Sequence, residues 1–336
     1  MKYFLGIDTS NYRTSVAVCD ENGAPIKNVR RLLSVKDGER GLRQSDALFA
    51  HVKALPEIMK EIGEYPLAAV GYSAYPRDCE GSYMPCFLAG KAAASAVAEL
   101  MGVPLYPFSH QAGHLSAAIY SCGGAFSFKN SDTAVSGTQS VKNKTNSRFT
   151  DDGKFIAFHL SGGTTEALFY DDGKITLLGG TLDLNAGQVI DRVGVMLGLK
   201  FPAGEELEAL AGELPFSKGV KTSVKGFNCN LAGVENLSKK LYDETGDKAL
   251  VAAFAIDSVC KTLDKMTENI LNEYPSLPVL YAGGVMACKR IKKRLSGKYD
   301  CAFAEPQYSG DNAVGTALLC RRAYLKSQSE SDKNNG

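Results

Sequence analysis

Apolar and polar positions alternate in short blocks from the first residues. Leu5-Gly6-Ile7 runs into a polar Asp8-Thr9-Ser10 turn, residues 14–18 form a second apolar strand, and residues 20–23 read as a hairpin turn. The same succession returns far downstream: a strand over 155–160, the turn Ser161-Gly162-Gly163-Thr164-Thr165, a strand over 167–170 and a hairpin at 171–173. Helical spacing of apolar residues covers 42–62, 87–101, 186–197 and 249–271, the second of these alanine-rich and closed by Gly102. Buried strands are expected over 67–73, 103–108 and 278–282, and a terminal helix over 312–325 is expected to pack back on the first half.

Two hairpins, each opening a half of strands and helices, predict a duplicated α/β architecture with the polar turns facing each other across a cleft. The N-terminal lobe is expected over residues 1–122 and the C-terminal lobe over 154–311. Residues 123–153, rich in Ser, Thr, Asn, Lys and Gly, read as a flexible insertion, and 327–336 as a disordered tail.

Composition changes this picture little. With 336 residues, 44% hydrophobic and 22% charged, the chain can bury a large core. A net charge of +1 exerts no global pull on nucleic acid or anionic lipid, so a polyanion must be met by a local basic surface. Nine cysteines with no Cys-x-x-Cys pair fit a reduced compartment, and no apolar run approaches the roughly 20 residues that span a bilayer. A cytoplasmic location without membrane partners is expected.

The chemistry-bearing pattern is Ser109-His110-Gln111-Ala112-Gly113-His114. Imidazoles at i and i+4 point to the same side of a helix, close enough to share a metal, and the preceding strand places His110 where a strand hands over to a helix. A zinc-protease helix needs a glutamate after the first histidine, and Gln111 stands there. Two histidines on a wet helix face remain the plain alternative. Gly162 and Gly163 would let backbone amides approach a phosphate, or simply form a hairpin. Lys289, Arg290, Lys292, Lys293 and Arg294 put five cations on one short helix, able to track phosphates or to be a solvated face.

The order Gly-Ile-Asp-Thr-Ser, His-x-x-x-His, Ser-Gly-Gly, Asp-x-x-Gly, Ala-Gly-Gly-Val and Asp-Asn resembles the Kae1/TsaD family of tRNA threonylcarbamoyl transferases over nearly the whole chain outside the insertion and tail. The resemblance implies the duplicated two-lobed ASKHA fold of actin, hexokinase and the Hsp70 ATPase, with a nucleotide and metal cleft between the lobes. It implies one divalent metal, zinc or ferrous iron, on His110, His114 and Asp311, although Asp311 also suits a helix N-cap. It assigns the adenylate substrate to Leu160, Ser161, Gly162, Gly163, Thr164, Asp191, Gly204, Gly283, Gly284 and Cys288, with Asp191 otherwise readable as a surface residue of an amphipathic helix. Asp8, Thr9, Ser10 and Arg13 become phosphate or substrate contacts.

Implied partners are tRNA, a catalytically inert TsaB-like paralogue and a small TsaE-like ATPase. The implied reaction is metal-assisted acyl transfer from threonylcarbamoyl-AMP to N6 of adenosine 37 in tRNA. Departures from the family are local. Its Cys-Asp-Glu-Thr is Asn11-Tyr12-Arg13-Thr14 here, which removes two carboxylates and adds a cation. Its histidine after Ser-Gly-Gly is Thr164, its asparagine after Ala-Gly-Gly-Val is Cys288, and its Gly-Pro-Gly loop is Arg77-Asp78-Cys79-Glu80-Gly81. Its Phe-Ser-Gly-Leu-Lys segment is Leu231-Ala232-Gly233-Val234-Glu235. A non-catalytic or retargeted paralogue is the alternative; a small-molecule kinase is disfavoured because such enzymes hold magnesium with carboxylates and water.

Overall fold

A computed structural model describes residues 1–10, 13–33, 42–123, 149–150, 152–217, 219–310 and 313–334. The chain divides into two compact units, residues 1–145 with 310–336 and residues 146–309. Each is built on one five-stranded sheet.

In the first unit β1 (Tyr3–Ser10), β2 (Arg13–Asp20) and β3 (Pro25–Leu32) form an antiparallel meander. Helix α1 (Gln44–Ile62) follows, then β4 (Leu67–Tyr75), α2 (Phe87–Met101), β5 (Leu105–Ser109) and α3 (His110–Ser121). Strands β4 and β5 add to β1 in parallel, giving the order β3-β2-β1-β4-β5. The sheet is buried on both faces at β1, as expected where helices cover parallel pairing. One face carries Ile7 and Val16 against α1 and α2; the other carries Gly6, where a β-carbon would overlap the backbone of Ala313 and Ala317 in the C-terminal helix.

The second unit repeats the plan. Strands β6 (Lys154–Leu160), β7 (Thr165–Asp171) and β8 (Lys174–Gly180) form the meander. Helices α4 (Ala186–Met196) and α5 (Gly204–Ala211), the small hairpin β9 (Ser223–Lys225) and β10 (Asn228–Asn230), and helices α6 (Ala232–Thr245) and α7 (Lys248–Glu273) follow. Strand β11 (Val279–Ala282) pairs parallel to β6; helix α8 (Lys289–Ser296) then leads to β12 (Cys301–Phe303), parallel to β11. The order is β12-β11-β6-β7-β8. The echo seen in the hydrophobic pattern is therefore a duplication of sheet topology.

Three differences from the expected boundaries have physical reasons. The C-terminal helix runs from Val314 to Asn334, so residues 327–334 are helical and not a disordered tail. Its polar composition masks this, but Ser327 and Ser331 bond back to the carbonyls of Tyr324 and Ser327, and Ser327 Oγ meets Tyr106 Oη at 3.1 Å. Phe149, placed in the insertion by composition, is fully buried and sits edge-on to Phe155 at 5.4 Å. Most of the insertion, residues 124–148 and 151, lies outside the described residues. Short polar elements such as β9, β10 and α5 carry too little periodicity to be anticipated. Among the described residues, no helix is long and apolar enough to cross a membrane.

A buried polar pair ties α1 to the first hairpin: His51, fully buried, shares a 2.7 Å hydrogen bond between Nδ1 and the Thr14 hydroxyl. Burial holds the imidazole below its usual pKa, partly offset by the charge of Asp8 and by the Ser10 backbone. With the folded-state pKa below the unfolded value, the unfolded chain takes up the proton first, so stability falls as pH drops below about 6.5. Urea unfolding at pH 7.5 and 5.5 is expected to show a loss of at most about 1.4 kcal/mol per pH unit from this group, shrinking in His51→Asn. An unchanged pH dependence in that variant would remove His51 as the cause.

Candidate functional site

In the first unit the strand-to-helix handover is built by Ser109. Its backbone is extended, its hydroxyl accepts the Ala112 amide at 3.1 Å and donates to Asp78 Oδ2 at 2.8 Å. A serine N-cap of this kind starts the helix at the next residue, which is His110, and puts His114 one turn later on the same side. The two Nε2 atoms stand 2.9 Å apart. Asp8, on β1 and 1% exposed, places Oδ2 at 3.0 Å from His110 Nδ1.

That geometry fits a metal. A carboxylate on Nδ1–H assigns the tautomer in which Nε2 carries the lone pair, the usual arrangement behind a metal-bound histidine. Two imidazole nitrogens at 2.0–2.1 Å from one ion lie about 3 Å apart. Among the described residues, no three His, Cys, Asp or Glu side chains are grouped to hold an ion. Asp311, the third ligand implied by resemblance, lies outside the described residues, as do Asn11 and Tyr12.

The neighbouring substrate candidates split between two faces of the sheet. Thr9 turns away from Asp8, donating to the Cys86 carbonyl at 3.0 Å and accepting the Gly90 amide at 3.1 Å, so it bolts the start of α2 in place. Ser10 shares the Asp8 face and is buried. Arg13 pairs opposite Ser10, and its Nη1 lies 2.9 Å from where a β-carbon on Gly310 would stand.

In the second unit Leu160 to Thr164, Gly283 and Gly284 meet at the carboxyl ends of β6 and β11, the end of an α/β sheet where ligands bind. The Ser161 amide bonds to Thr164 O at 2.8 Å and the Gly163 amide to Ser161 Oγ at 3.2 Å, closing the turn. β-Carbons at Gly162, Gly163 and Gly284 would meet nothing within 4 Å, so the backbone there is open. Gly283, at φ +101°, lies directly on the Leu160 carbonyl. The first turn of α4 abuts the same place: the Gly187 amide donates to Ser161 O at 3.2 Å and the Ala186 amide to the Thr165 hydroxyl at 2.8 Å.

Asp191 on α4 accepts the Ala203 amide at 2.8 Å and so joins the segment that starts α5 at Gly204. Burial raises its carboxyl pKa, and that hydrogen bond partly opposes the rise. Cys288 begins α8; burial pushes its thiol up to about 12, leaving it protonated near neutral pH. Sequence reasoning did not single out Asp183, which accepts the Leu184, Leu231 and Ala232 amides at 2.6, 2.6 and 3.2 Å and thereby fixes the start of α6. Those hydrogen bonds hold its pKa low against burial. The pairing of Asp8 with His110 was equally illegible, because nothing local links positions so far apart in the chain.

Along α8, Lys289, Lys293 and Arg294 are exposed and Lys292 is half-buried. Arg294 lies over the Phe216 ring at 4.2 Å. Arg290 turns inward: it donates Nε and Nη2 to the fully buried Asp257 at 2.6 and 2.8 Å, and its Nη atoms reach the Leu214 and Pro215 carbonyls.

Two mixed sheets with the same strand plan, and a turn with open backbone at the strand ends, define an ASKHA-class protein. Component A of (R)-2-hydroxyglutaryl-CoA dehydratase from Acidaminococcus fermentans shares the fold, with a TM-score of 0.55, 12% identity, and coverage of 97% of this chain and 100% of that one. So does the activator of 2-hydroxyisocaproyl-CoA dehydratase from Clostridium difficile, at TM-score 0.52 and 13% identity, with 98% and 97% coverage. The sequence model of the tRNA N6-adenosine threonylcarbamoyltransferase (TsaD) family matches residues 134–318, more than half of the chain. The tRNA N6-adenosine threonylcarbamoyltransferase of Streptococcus pyogenes strain MGAS8232 is 27% identical over 97% of this chain and 92% of its own length. That of Streptococcus pneumoniae strain ATCC 700669 is 26% identical, over 93% and 89%. The chain belongs to the tRNA N6-adenosine threonylcarbamoyltransferase family.

Proposed function

We propose that this protein transfers a threonylcarbamoyl group from threonylcarbamoyl-AMP to N6 of adenosine 37 in tRNA. The observation that carries this reading is the convergence of His110 and His114 Nε2 at 2.9 Å with Asp8 behind His110. His110, His114 and, by resemblance, Asp311 would hold a zinc or ferrous ion, which supplies positive charge at the departing phosphate and the carbamoyl oxygen.

The chain's own residues position and polarise. Asp8 keeps His110 in one tautomer and orientation. The open space beside Gly162, Gly163 and Gly284 lets a phosphate approach the backbone closely, and Asp191 offers an acceptor to ribose hydroxyls. N6 attacks the carbamoyl carbon, the bond from that carbon to the phosphate oxygen breaks, AMP takes the electron pair, and N6 gives up a proton. N6 is a weak nucleophile, so alignment and stabilised charge carry the rate. A thiol nucleophile is not required, and Cys288 stays protonated. Lys289, Lys292, Lys293 and Arg294 are the phosphate-tracking cations of this reading, with Arg290 serving the fold. A TsaB-like paralogue and a TsaE-like ATPase are the proposed partners, in the cytoplasm.

Elemental analysis of anaerobically purified protein tests the metal, with AMP binding measured beside it. We expect about one divalent ion per chain in wild type and at least a tenfold loss of occupancy in His110→Ala and Asp311→Ala, with AMP still bound. Absence of metal in wild type, or no AMP released from the adenylate with tRNA and both partners present, would overturn the transfer reading in favour of a non-catalytic paralogue.

A further inference from the structure

The face of the first hairpin that packs on α1 and α2 is apolar except at one rung. Leu5, Ile7, Val16 and Val18 join the core there. The register pairs Thr9 with Thr14, and residues directly opposite on paired strands point the same way. Both threonines are fully buried, and both are pinned from behind. Thr9 donates to the Cys86 carbonyl and accepts the Gly90 amide at the start of α2, while Thr14 shares its 2.7 Å bond with His51 of α1. The next rung, Ser10 with Arg13, is the last before the turn. Its side chains point to the opposite face of the sheet, the one on which Asp8 meets His110.

An apolar rung would serve stability better. His51 is 0% exposed, and among the described residues its Nε2 is buried with no hydrogen-bond partner. A buried polar atom left unsatisfied is destabilising, so an imidazole held by one short bond at its other nitrogen is not explained by stability. What the arrangement achieves is geometric. Hydrophobic contact is non-directional, whereas a hydrogen bond fixes a distance and an angle. Bonds from two helices fix both strands of the hairpin one rung short of the turn. Departures of this kind from an apolar core gather at functional sites.

We propose that His51 is a positioning residue for the first hairpin turn: through Thr14 it sets where Ser10 and Arg13 stand, and so aligns the group presented to them. The role rests on the transfer reading, in which Ser10 and Arg13 contact the substrate. His51 acts from the opposite face of the sheet and touches no substrate itself.

Two polar replacements of His51 test this, because they place an amide at different ends of the imidazole. In His51→Asn the amide overlays Nδ1 and keeps a bond to Thr14; in His51→Gln it overlays Nε2 and does not. Packing alone ranks them the other way, since glutamine is closer to histidine in volume. Hydrogen exchange of the Ser10, Arg13 and Thr14 amides in the full chain, read relative to those of β4, is expected to speed up about tenfold or more in His51→Gln and to stay within about threefold of wild type in His51→Asn. AMP release from the adenylate, with tRNA and both partners present, should fall about tenfold or more in His51→Gln while AMP affinity is unchanged, because the AMP contacts of the transfer reading lie in the second unit. Leu55→Ala, a core change on the same helix, is the control: it lowers the melting temperature but not turnover per folded molecule. Equal behaviour of His51→Asn and His51→Gln, whether both are intact or both impaired, would overturn the proposal, as would full turnover by His51→Gln in an assay where wild type is active. A wild type that releases no AMP overturns the transfer reading instead, and hairpin exchange then decides alone whether His51 holds the turn.

Discussion

Gly283→Ala is expected to cost the second unit roughly 3 kcal/mol or more and, under the proposed function, to abolish binding of the adenylate. The backbone at Gly283 has φ +101°, a region L-residues rarely adopt, which alone costs about 1 kcal/mol or more. The larger effect is steric. A β-carbon there would fall on the carbonyl of Leu160, and backbone on both sides leaves no flexible side chain to give way. Relief requires β6 and β11 to separate at their carboxyl ends, which displaces the Ser161-Gly162-Gly163 turn. For a unit of this size such a loss lowers the melting temperature by roughly 6–12 °C. Gly284→Ala is the control, since a β-carbon at Gly284 meets nothing within 4 Å and φ there is ordinary. Differential scanning calorimetry of the two variants decides: equal melting points would show that the close approach at Gly283 is not constraining.

The contrast between these adjacent glycines also shows what a sequence can and cannot convey. Gly-Gly after a buried strand announced a turn, and both the turn and its neighbourhood with Ser161 follow from parallel pairing of β11 with β6. Which glycine is indispensable depends on the distance to Leu160, a contact made by sheet pairing and invisible locally. The same holds at the histidines. Spacing of four residues put His110 and His114 on one side of α3, and the strand before them set the helix start. The Asp8 carboxylate behind His110 comes from β1, brought there by the order β1-β4-β5, which no local pattern encodes. The duplicated hairpins were legible because strands buried on both faces read as short continuous apolar runs broken by polar turns. The last turns of the C-terminal helix were not, because their residues are polar all round and are held by serine hydroxyls bonded to the backbone and by one contact to Tyr106. The basic run on α8 was legible only as charge, and charge does not say which cation faces inward.

Asp257→Ala is expected to destabilise the second unit by about 3–5 kcal/mol, the usual result of stripping one partner from a buried ion pair. Asp257 is fully buried on α7, and its two oxygens accept three bonds: Arg290 Nε at 2.6 Å, Arg290 Nη2 at 2.8 Å and the Ser217 amide at 2.8 Å. Truncation leaves the Arg290 guanidinium, 14% exposed, with only the Leu214 and Pro215 carbonyls, and leaves the Ser217 amide without its acceptor. Arg290→Met is expected to cost a similar amount, because it leaves the fully buried Asp257 carboxylate with only the Ser217 amide. The double variant, Asp257→Ala with Arg290→Met, should recover part of the Asp257→Ala loss, which simple loss of packing volume would not produce. If the double variant is less stable than the sum of the two single changes, the pair is not the reason for the cost. Under the proposed function, tRNA affinity per folded molecule should be insensitive to Arg290→Met and fall in Lys289→Glu or Lys293→Glu, whose side chains are exposed.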